Sequence, residues 1–547
     1  MHPRHFVLTA LPFVLLPGIA AGAAGPPDPA FQIRHEDRQR QREEATAPLA
    51  PSAPPADAPA LAAHPQDIAE PAPLFQAPTL IVRPNSLLEA RQIDALLDPY
   101  RPLALGRNRI ELLLRQLNAQ LVVRGLVTSR ARIADLDRRN NRLEIELLPG
   151  RIEGFVAAGQ ALGPDVRGAF PSNDNNLLVL QDLEQGVHQI QRLRLYQAEL
   201  RVLPGQTPNA SLIDLHLTET KPWWLQLGLD NQGSRSTGLT RSRAAITLEN
   251  ALGLLDSLGL NYVRSQRSEA AVASVAIPQG YNTWSVSYAA SRYTQPLPAD
   301  LRQTGGSHSA TLAWNRVLHL SAAGRDTAEL TLTYGDAWRR LDDIALGAER
   351  LTVLKATAVS LRQGNGWRAW GEIDISRGLP WFGAIGDGAV NAAADPHARF
   401  TKVEAHAGVV ASLPGAAIHY TGQVDLQHSA VGLYGPEQFR LGGMSSVRGY
   451  NEATAAGDRG YLFRHEWQTP HWQPEILGGR GAPFLFLDHG ASRLIAGPTT
   501  RLAGAGAGWR LAAKHWNADL AIAKPIDCSS AIAAHGWHLH ATFRIDL

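Results

Sequence analysis

The sequence predicts two small α+β modules followed by an all-β part, a 16-stranded antiparallel transmembrane β-barrel. Two consecutive segments of about 70 residues each repeat the same order of helix and strands, as small αβ modules do. Beyond them, residues 222–547 contain sixteen short segments in which polar and apolar residues alternate. The even number of strands is what single-chain bacterial barrels require.

The chain begins with the features of a secretory signal peptide. The stretch MHPRHFVLTALPFVLLPGIAAGAAG has a basic start, an apolar run from Phe6 to Leu16 and small residues at Ala21-Gly22-Ala23. This pattern predicts a signal peptide over residues 1–23. After it, no run of about 18 apolar residues occurs, so we expect no transmembrane helix in the mature chain. A β-barrel remains as the means of spanning a membrane.

A polar helix and a linker are predicted next. Residues 26–45 begin with three prolines that suit a helix start, and Ala30 to Ala45 is rich in helix formers but polar almost all round. Such a helix lies either in solvent or inside a water-filled cavity. Residues 46–78 are rich in Pro and Ala and have few large apolar side chains, which predicts an extended, semi-rigid linker.

The two modules are predicted over residues 79–149 and 150–220. Each contains an amphipathic helix, a strand, a polar turn and a second strand. We expect the apolar faces of the two helices to form the module cores. These faces carry Ile110, Leu113, Leu114, Leu117 and Leu121 in the first module and Leu180, Leu183, Val187, Ile190 and Leu193 in the second.

The remaining residues, 221–547, have the organisation of an outer-membrane barrel. Their connections alternate between tight turns, as at Pro278 and Gly364, and long stretches, as after Gly378 and Ala430. Outer-membrane barrels have this asymmetry, with short turns on one side and long loops on the other. A soluble β-sandwich would also show alternating strands. The signal peptide, the even strand number and the loop asymmetry favour the barrel.

Several kinds of chemistry lack support in the sequence. A net charge of +2 gives no electrostatic reason to expect a nucleic acid partner. Motifs for nucleotide binding, esterase and metalloprotease chemistry are absent, so we expect no enzyme activity and no cofactor. The single cysteine, Cys528, cannot form an internal disulfide. The histidines His535, His538 and His540 have no carboxylate or cysteine to complete a metal site, so we assign them to a water-filled lumen and expect no metal.

One predicted loop is far longer than a hairpin turn. It has roughly 30 residues, between the predicted strands 418–427 and 461–468, and contains the stretch Val447-Arg448-Gly449-Tyr450. Downstream, a predicted strand holds Asp488 between Phe486 and Gly490. An acid shielded from water needs a partner. We therefore predict that the loop folds back into the lumen and that Arg448 pairs with Asp488.

The neighbouring residues suit such a pairing. Gly449 lets the backbone turn close to the strand, and Gly490 clears space beside Asp488. Tyr450 can pack on the barrel wall while its hydroxyl stays hydrated.

The order of these parts resembles the two-partner secretion transporters, the TpsB family of the outer-membrane assembly-factor superfamily. The resemblance depends above all on VRGY at 447–450 and FxDxG at 486–490. The stretch GLDNQG (228–233), followed by LENALGLLDSLGL (248–260), is similar to the start of that family's barrel. The resemblance covers nearly the whole mature chain.

The resemblance implies a location, a function and partners. The modules are expected to be POTRA domains in the periplasm that capture an unfolded secreted exoprotein, and the barrel to export it through the outer membrane of a Gram-negative bacterium without ATP. Helix 26–45 is expected to plug the pore, and the VRGY and FxDxG residues to lock the loop to the barrel. We expect a functional monomer surrounded by outer-membrane lipid. The partner, whether an adhesin, a cytolysin or a toxin, is left open.

Three alternative functions have less support. An outer-membrane protein assembly or insertion factor of the same superfamily would usually carry more modules. A general diffusion porin would need neither periplasmic modules nor a folded-in loop. An enzymatic barrel has the least support.

Overall fold

The structure is a computed structural model that describes residues 63–547, apart from 84–85, 173, 322, 389–391, 414, 416–417, 451–453, 470–474, 477 and 529–535. The predicted signal peptide, the predicted polar helix and the first part of the predicted linker lie outside the described residues. Within the described part of the chain, no helix is both long and apolar enough to cross a membrane.

The first module packs two helices on a small sheet. Its elements are β1 (Pro73–Gln76), β2 (Thr79–Arg83), α1 (Ala90–Leu97), β3 (Ala104–Gly106), α2 (Arg107–Val123), β4 (Arg130–Asp137) and β5 (Arg142–Leu148). Strand β5 lies between β2, to which it is parallel, and β4, to which it is antiparallel. The predicted helical face is buried on this sheet, with Leu113, Leu117 and Leu121 fully enclosed, Ile110 4 % exposed and Leu114 partly buried.

The first module also includes residues 63–78, which the sequence assigned to the linker. Strand β1 pairs with β3, and its Phe75 is buried in the module core. Asn108 donates a hydrogen bond to the Ala69 carbonyl (2.9 Å), and the Arg109 N–H donates to Glu70 Oε2 (2.9 Å). The linker prediction is corrected here. The Pro- and Ala-rich composition does not favour a strand, so the sequence contains no sign of β1, whose partner strand lies about 30 residues further along the chain.

The second module repeats this arrangement. Its elements are β6 (Arg151–Ala157), β7 (Gln160–Ala161), α3 (Pro164–Arg167), α4 (Leu180–Gln191), β8 (Tyr196–Pro204) and β9 (Ala210–Glu219). The sheet order is β7-β6-β9-β8, with β6 and β9 parallel and β8 and β9 antiparallel. Leu183, Ile190 and Leu193 of the predicted helical face are buried, and Val187 is partly buried.

The rest of the chain forms a closed antiparallel barrel in which β10 pairs with β29. Sixteen strands cross the wall, because β17 and β25 are two-residue pieces within connections and β22 and β23 lie in a loop. The strands are β10 (Trp223–Asp230), β11 (Arg241–Glu249), β12 (Ser257–Arg264), β13 (Ser268–Gln279), β14 (Asn282–Pro296), β15 (Arg302–Ser321), β16 (Gly324–Leu341), β17 (Ile344–Ala345), β18 (Glu349–Gly364), β19 (Trp367–Leu379), β20 (Thr401–Ser412), β21 (His419–Ser429), β22 (Phe439–Leu441), β23 (Ala455–Gly457), β24 (Arg459–Gln468), β25 (Glu475–Ile476), β26 (Gly479–Arg493), β27 (Thr499–Ala512), β28 (Trp516–Cys528) and β29 (His538–Asp546). The predicted fold class is confirmed.

Alternation along the strands separates an apolar outer face from a polar inner face. In β26, Leu485 and Leu487 point outward and are exposed, whereas Phe486 and Asp488 point inward and are buried. In β29, Leu539 and Phe543 are exposed and His540 is 2 % exposed. The outer face suits lipid and the inner face a wet lumen.

The connections differ between the two ends of the barrel. At the end next to the modules most are short, such as 280–281 and 365–366. At the opposite end, residues 380–400 and 430–458 form the long loops. The predicted asymmetry is confirmed.

Helix α4 joins the second module to the barrel. Gln185 and Gln189 each donate a hydrogen bond from Nε2 to the Gly280 carbonyl (3.0 and 2.9 Å) in a barrel turn. The Tyr281 hydroxyl of the same turn donates to Asp182 Oδ1 (2.5 Å). Leu255, from the turn between β11 and β12, is buried in the core of the module. The second module is thereby held directly below the barrel.

Candidate functional site: a lock between the long loop and the barrel wall

The described part of the long loop, residues 430–450 and 454–458, folds back into the barrel. Its strands β22 and β23 pair with each other, which turns the intervening segment toward the wall. Leu441, Val447 and Tyr450 of the loop form one apolar cluster with Leu462 and Leu502, which point inward from β24 and β27. The predicted inward folding of the loop is what the structure has.

The structure brings Arg448 and Asp488 together in a two-pronged ion pair. Arg448 Nε lies 2.6 Å from Asp488 Oδ2, and Nη2 lies 2.8 Å from Oδ1. The backbone N–H of Arg448 donates to the same carboxylate (3.1 Å). The side chains are 1 % and 0 % exposed. The planar guanidinium matches the carboxylate in a way that an ammonium group does not.

A second carboxylate, Glu466, accepts a hydrogen bond from the third guanidinium nitrogen of Arg448. Arg448 Nη1 lies 2.9 Å from Glu466 Oε2. Glu466 also bonds Arg510, whose Nη1 and Nη2 lie 2.5 and 3.0 Å from its two oxygens. The charges on Arg448 are thus matched inside the wall, as a buried ion requires.

The environment keeps Arg448 charged. Burial alone would lower the pKa of its guanidinium, but the hydrogen bonds to Asp488 and the negative charges of Asp488 and Glu466 outweigh it and raise the pKa above the ordinary value. The ring of Phe486 lies against the cation, with its centroid 3.7 Å from Arg448 Cζ. A ring face at this distance attracts a cation.

Glycines allow the loop backbone to approach the wall. Gly449 has φ +106°, a region that other residues avoid, and a Cβ there would lie 3.1 Å from Lys524 C. A Cβ on Gly504 of β27 would lie 1.8 Å from the Arg448 carbonyl oxygen. The sequence predicts that Gly490 leaves space beside Asp488. In the structure, the space that its missing side chain leaves is next to the Tyr461 carbonyl oxygen, from which a Cβ would lie only 2.6 Å away. The loop can therefore contact the wall only because these positions are glycines without side chains.

The prediction for the Tyr450 hydroxyl is wrong. Tyr450 is 2 % exposed, and its hydroxyl donates to the backbone carbonyl of Asp527 (3.0 Å) rather than to bulk water. The ring packs on the wall, as expected, but the wall closes over the polar end as well. A buried hydroxyl needs such a partner.

The histidines and acids of the lumen are the candidate metal ligands. His540 lies 3.4 Å from the Gly449 N–H, which donates to its Nε2, and His535 lies outside the described residues. Elsewhere in the described part, Glu372, Asp374 and His406 offer ligand atoms within 4.8 Å of one another. Lys355 Nζ lies 3.4 Å from Asp374, and His406 Nδ1 lies 2.5 Å from Asp425. Asp374 and His406 therefore already have partners in the wall.

Sequence reasoning missed Glu466, Arg510 and Gly504. Strand alternation places both charged side chains on the inner face, which was a usable signal. Alternation does not give the register between neighbouring strands, and this register decides which inward residues contact each other.

Comparisons with known proteins agree with this architecture. The profile of the haemolysin secretion/activation protein family ShlB/FhaC/HecB matches residues 209–511, and profiles of POTRA domains match 79–150 (ShlB-type) and 151–204. The outer membrane transporter CdiB of Dickeya dadantii is 30 % identical over 422 residues, 74 % of each chain. CdiB-2 of Burkholderia pseudomallei is 27 % identical over 428 residues, 74 % of this chain and 72 % of that one. The solved structure of CdiB from Escherichia coli has the same fold, with a TM-score of 0.85, 24 % identity and coverage of 96 % of this chain and 100 % of the other.

Proposed function

Because the chain belongs to the haemolysin secretion/activation family ShlB/FhaC/HecB, we infer that it is a two-partner secretion translocator of the outer membrane. Its two POTRA modules stand in the periplasm, and its barrel exports a secreted partner protein. The family is one of transporters, and we propose that this chain has no catalytic activity of its own. Export proceeds without ATP.

The observation that carries this function is the loop held inside the lumen by the buried Arg448–Asp488 pair. A passive diffusion pore gains little from such a pair, because burying two charges is costly and apolar packing would hold a loop as well. A translocator has a use for it. The pair closes the lumen at rest and, once broken, leaves two charges that water in an open lumen can solvate.

Capture of the partner is proposed at the free sheet edges of the modules. Strand β8 is the edge of the second sheet, and its exposed residues include Val202 and Leu203. Strand β4 is an edge of the first sheet and exposes Ile133 and Leu136. An extended chain can pair with such an edge through backbone hydrogen bonds, with little demand on its sequence. This suits an unfolded client.

Helix α4 is a less suitable capture site than the sheet edges. Its Gln185 and Gln189 are buried against the barrel turn at Gly280. A client that docked on this side of the helix would have to separate the module from the barrel.

Two further properties are proposed. The closed barrel encloses one complete route, so a monomer suffices for transport. The exposed outer leucines, such as Leu485 and Leu539, contact outer-membrane lipid.

The function is tested by secretion in a strain that lacks this protein. The probe is a secreted exoprotein co-expressed with this chain, and immunoblots compare medium with periplasm. We expect export only when this chain is present, and loss of export when residues 63–150 are deleted. Export of the same protein without this chain would disprove the assignment.

A further inference from the structure

The outer wall of the barrel carries a groove at its loop end. Its volume is about 490 Å³, and it spans strands β20, β21, β24, β26 and β27. The outward residues Leu426 and Tyr461, directly opposite each other on β21 and β24, are exposed along it. Ala491, only 5 % exposed, forms part of its floor, because a small side chain lies below those of its neighbours. The groove therefore opens to the lipid rather than to the lumen.

Basic side chains line the upper end of this groove. Arg459 and Arg493 occupy directly opposite positions of β24 and β26, and both have the same outward orientation as Tyr461. His428, exposed at the end of β21, lies beside them. Neighbouring strands are about 4.8 Å apart, so the three side chains lie within roughly 10 Å of one another.

The two arginines are unfavourably placed on their own. Like charges at directly opposite positions of an antiparallel pair destabilise the sheet. Arg459 Nε donates to the Ser429 carbonyl (2.8 Å), which orients it but does not neutralise it. The nearest acid along the chain, Asp458, is buried and accepts from the backbone N–H groups of Leu433 and Ile495. Across the described residues, no carboxylate lies within ion-pair distance of Arg459 or Arg493.

Another part of the same rim shows how such arginines are otherwise compensated. Arg264 and Arg292, on β12 and β14, flank Glu269 of β13 in directly opposite positions. Arg292 Nη2 lies 2.5 Å from Glu269 Oε1. Arg459 and Arg493 are on directly paired strands with no acidic position between them, so a negative charge from outside the chain can lie over both.

The height of the basic side chains indicates the source of that charge. On β26 the exposed apolar residues Leu485 and Leu487 come first, and Arg493 ends the strand on the side away from the modules. This side is the cell surface, where the apolar band of the wall meets the lipid headgroups. The outer leaflet there is built of a glycolipid, lipid A, that carries both phosphates and acyl chains.

We propose that the groove binds one molecule of this phosphorylated glycolipid. One phosphate lies between Arg459 and Arg493, where charge-assisted hydrogen bonds from both guanidinium groups can reach it. An acyl chain lies along Leu426, Tyr461 and Ala491. The site is separate from the lumen and from the loop lock, although Asp458, next to Arg459, ends the loop. A bound lipid would therefore steady the strand from which the loop departs.

The test uses the purified full chain in detergent. Native mass spectrometry counts retained lipid, and the thermal midpoint reports stabilisation. The probe is bis-phosphorylated lipid A, compared with lipid A from which both phosphates have been removed, with phosphatidylethanolamine and with inorganic phosphate. We expect retention of one bis-phosphorylated lipid A and a raised midpoint, at least about tenfold weaker binding of the dephosphorylated form, and no effect of inorganic phosphate alone.

Variants locate the site. Arg459→Ser/Arg493→Ser should weaken lipid A binding at least about tenfold, whereas Arg264→Ser/Arg292→Ser, which removes the same charge from the same end of the barrel, should bind like the wild type. A heat-modifiable band on gels checks that each barrel is folded. Equal binding of both lipid A forms by the wild type would overturn the proposal even if the variants failed to fold. Equal loss in both double variants, or stabilisation by inorganic phosphate alone, would also overturn it.

Discussion

At the residue scale, the protein concentrates its strongest interactions on one arginine. Arg448 is among the largest fully buried side chains, and all three of its guanidinium nitrogens have carboxylate partners. Such a pair contributes little net stability while it is intact, but the loss of one partner leaves a buried charge alone. A partly broken pair would leave an unpaired charge inside the wall, so the pair is favoured only when it is fully formed or fully broken. This property suits a lock.

Arg448→Ala and Asp488→Ala should each reduce secretion at least about tenfold, since removing one partner of a buried pair costs about 3–5 kcal/mol. The double variant should be little worse than either single variant, because the remaining partner no longer lies unpaired. Immunoblots of the exported partner measure the effect, and heat modifiability checks barrel folding. If the two defects add in full, the residues act separately and the lock is disproved.

Gly504→Ala should loosen the loop without touching any charge. Its Cβ would lie 1.8 Å from the Arg448 carbonyl oxygen, so the loop backbone must move away from the wall. We expect higher conductance in planar bilayers and faster protease cleavage of the loop. Gly371→Ala is the matched control, because a Cβ there meets nothing within 4 Å. Equal behaviour of the two variants would show that the loop does not depend on this contact.

At the scale of elements, the modules divide their faces between core and edge. Leu113 and Leu117 of α2 and Ile190 of α4 are buried, so a charged residue there should unfold the module rather than affect binding alone. The edge of β8 differs, because Val202 and Leu203 are exposed and large. Exposed apolar residues on a free edge are a risk of aggregation, which a binding role explains.

Val202→Asp/Leu203→Asp should lower secretion while the module stays folded. The charges would oppose an apolar client strand at this edge, and the exposed positions tolerate them. Binding of the unfolded partner protein to the purified protein, by fluorescence anisotropy, measures the change. Gln197→Asp, exposed on the same strand, adds charge without removing apolar surface and should be nearly neutral. Unchanged binding in the double variant would place capture elsewhere.

At the scale of the whole molecule, the lower end of the route is attached to the second module, and we propose that its interior can open and close. The second module is attached to barrel turns through α4 and Leu255, so captured client is held next to the pore. Inside, the long loop rests on the wall of β24, β26 and β27. We expect movement of this loop to change the width of the route without changing the barrel.

Deletion of residues 26–45 should raise single-channel conductance. This segment is predicted as a polar helix that suits a water-filled pore, and the Pro- and Ala-rich stretch after it is long enough to let it leave. Planar bilayer recordings measure the effect. Adding the synthetic peptide 26–45 to the truncated protein should restore the lower conductance. Unchanged conductance after deletion would show that the helix does not occupy the lumen.

The sequence alone determined the barrel, its two modules and the pairing of Arg448 with Asp488. Strand alternation is local, helical periodicity is local, and an acid on an inward strand position demands a partner. Only the tertiary structure decided that Glu466 and Arg510 join the pair, that Gly504 bares the wall for the loop, that Tyr450 is closed off from water, and that β1 belongs to the first module. The place of β1 depends on its pairing with β3, and the stagger between neighbouring barrel strands governs the other contacts. That stagger is set by the closure of all sixteen strands at once, which no single segment encodes.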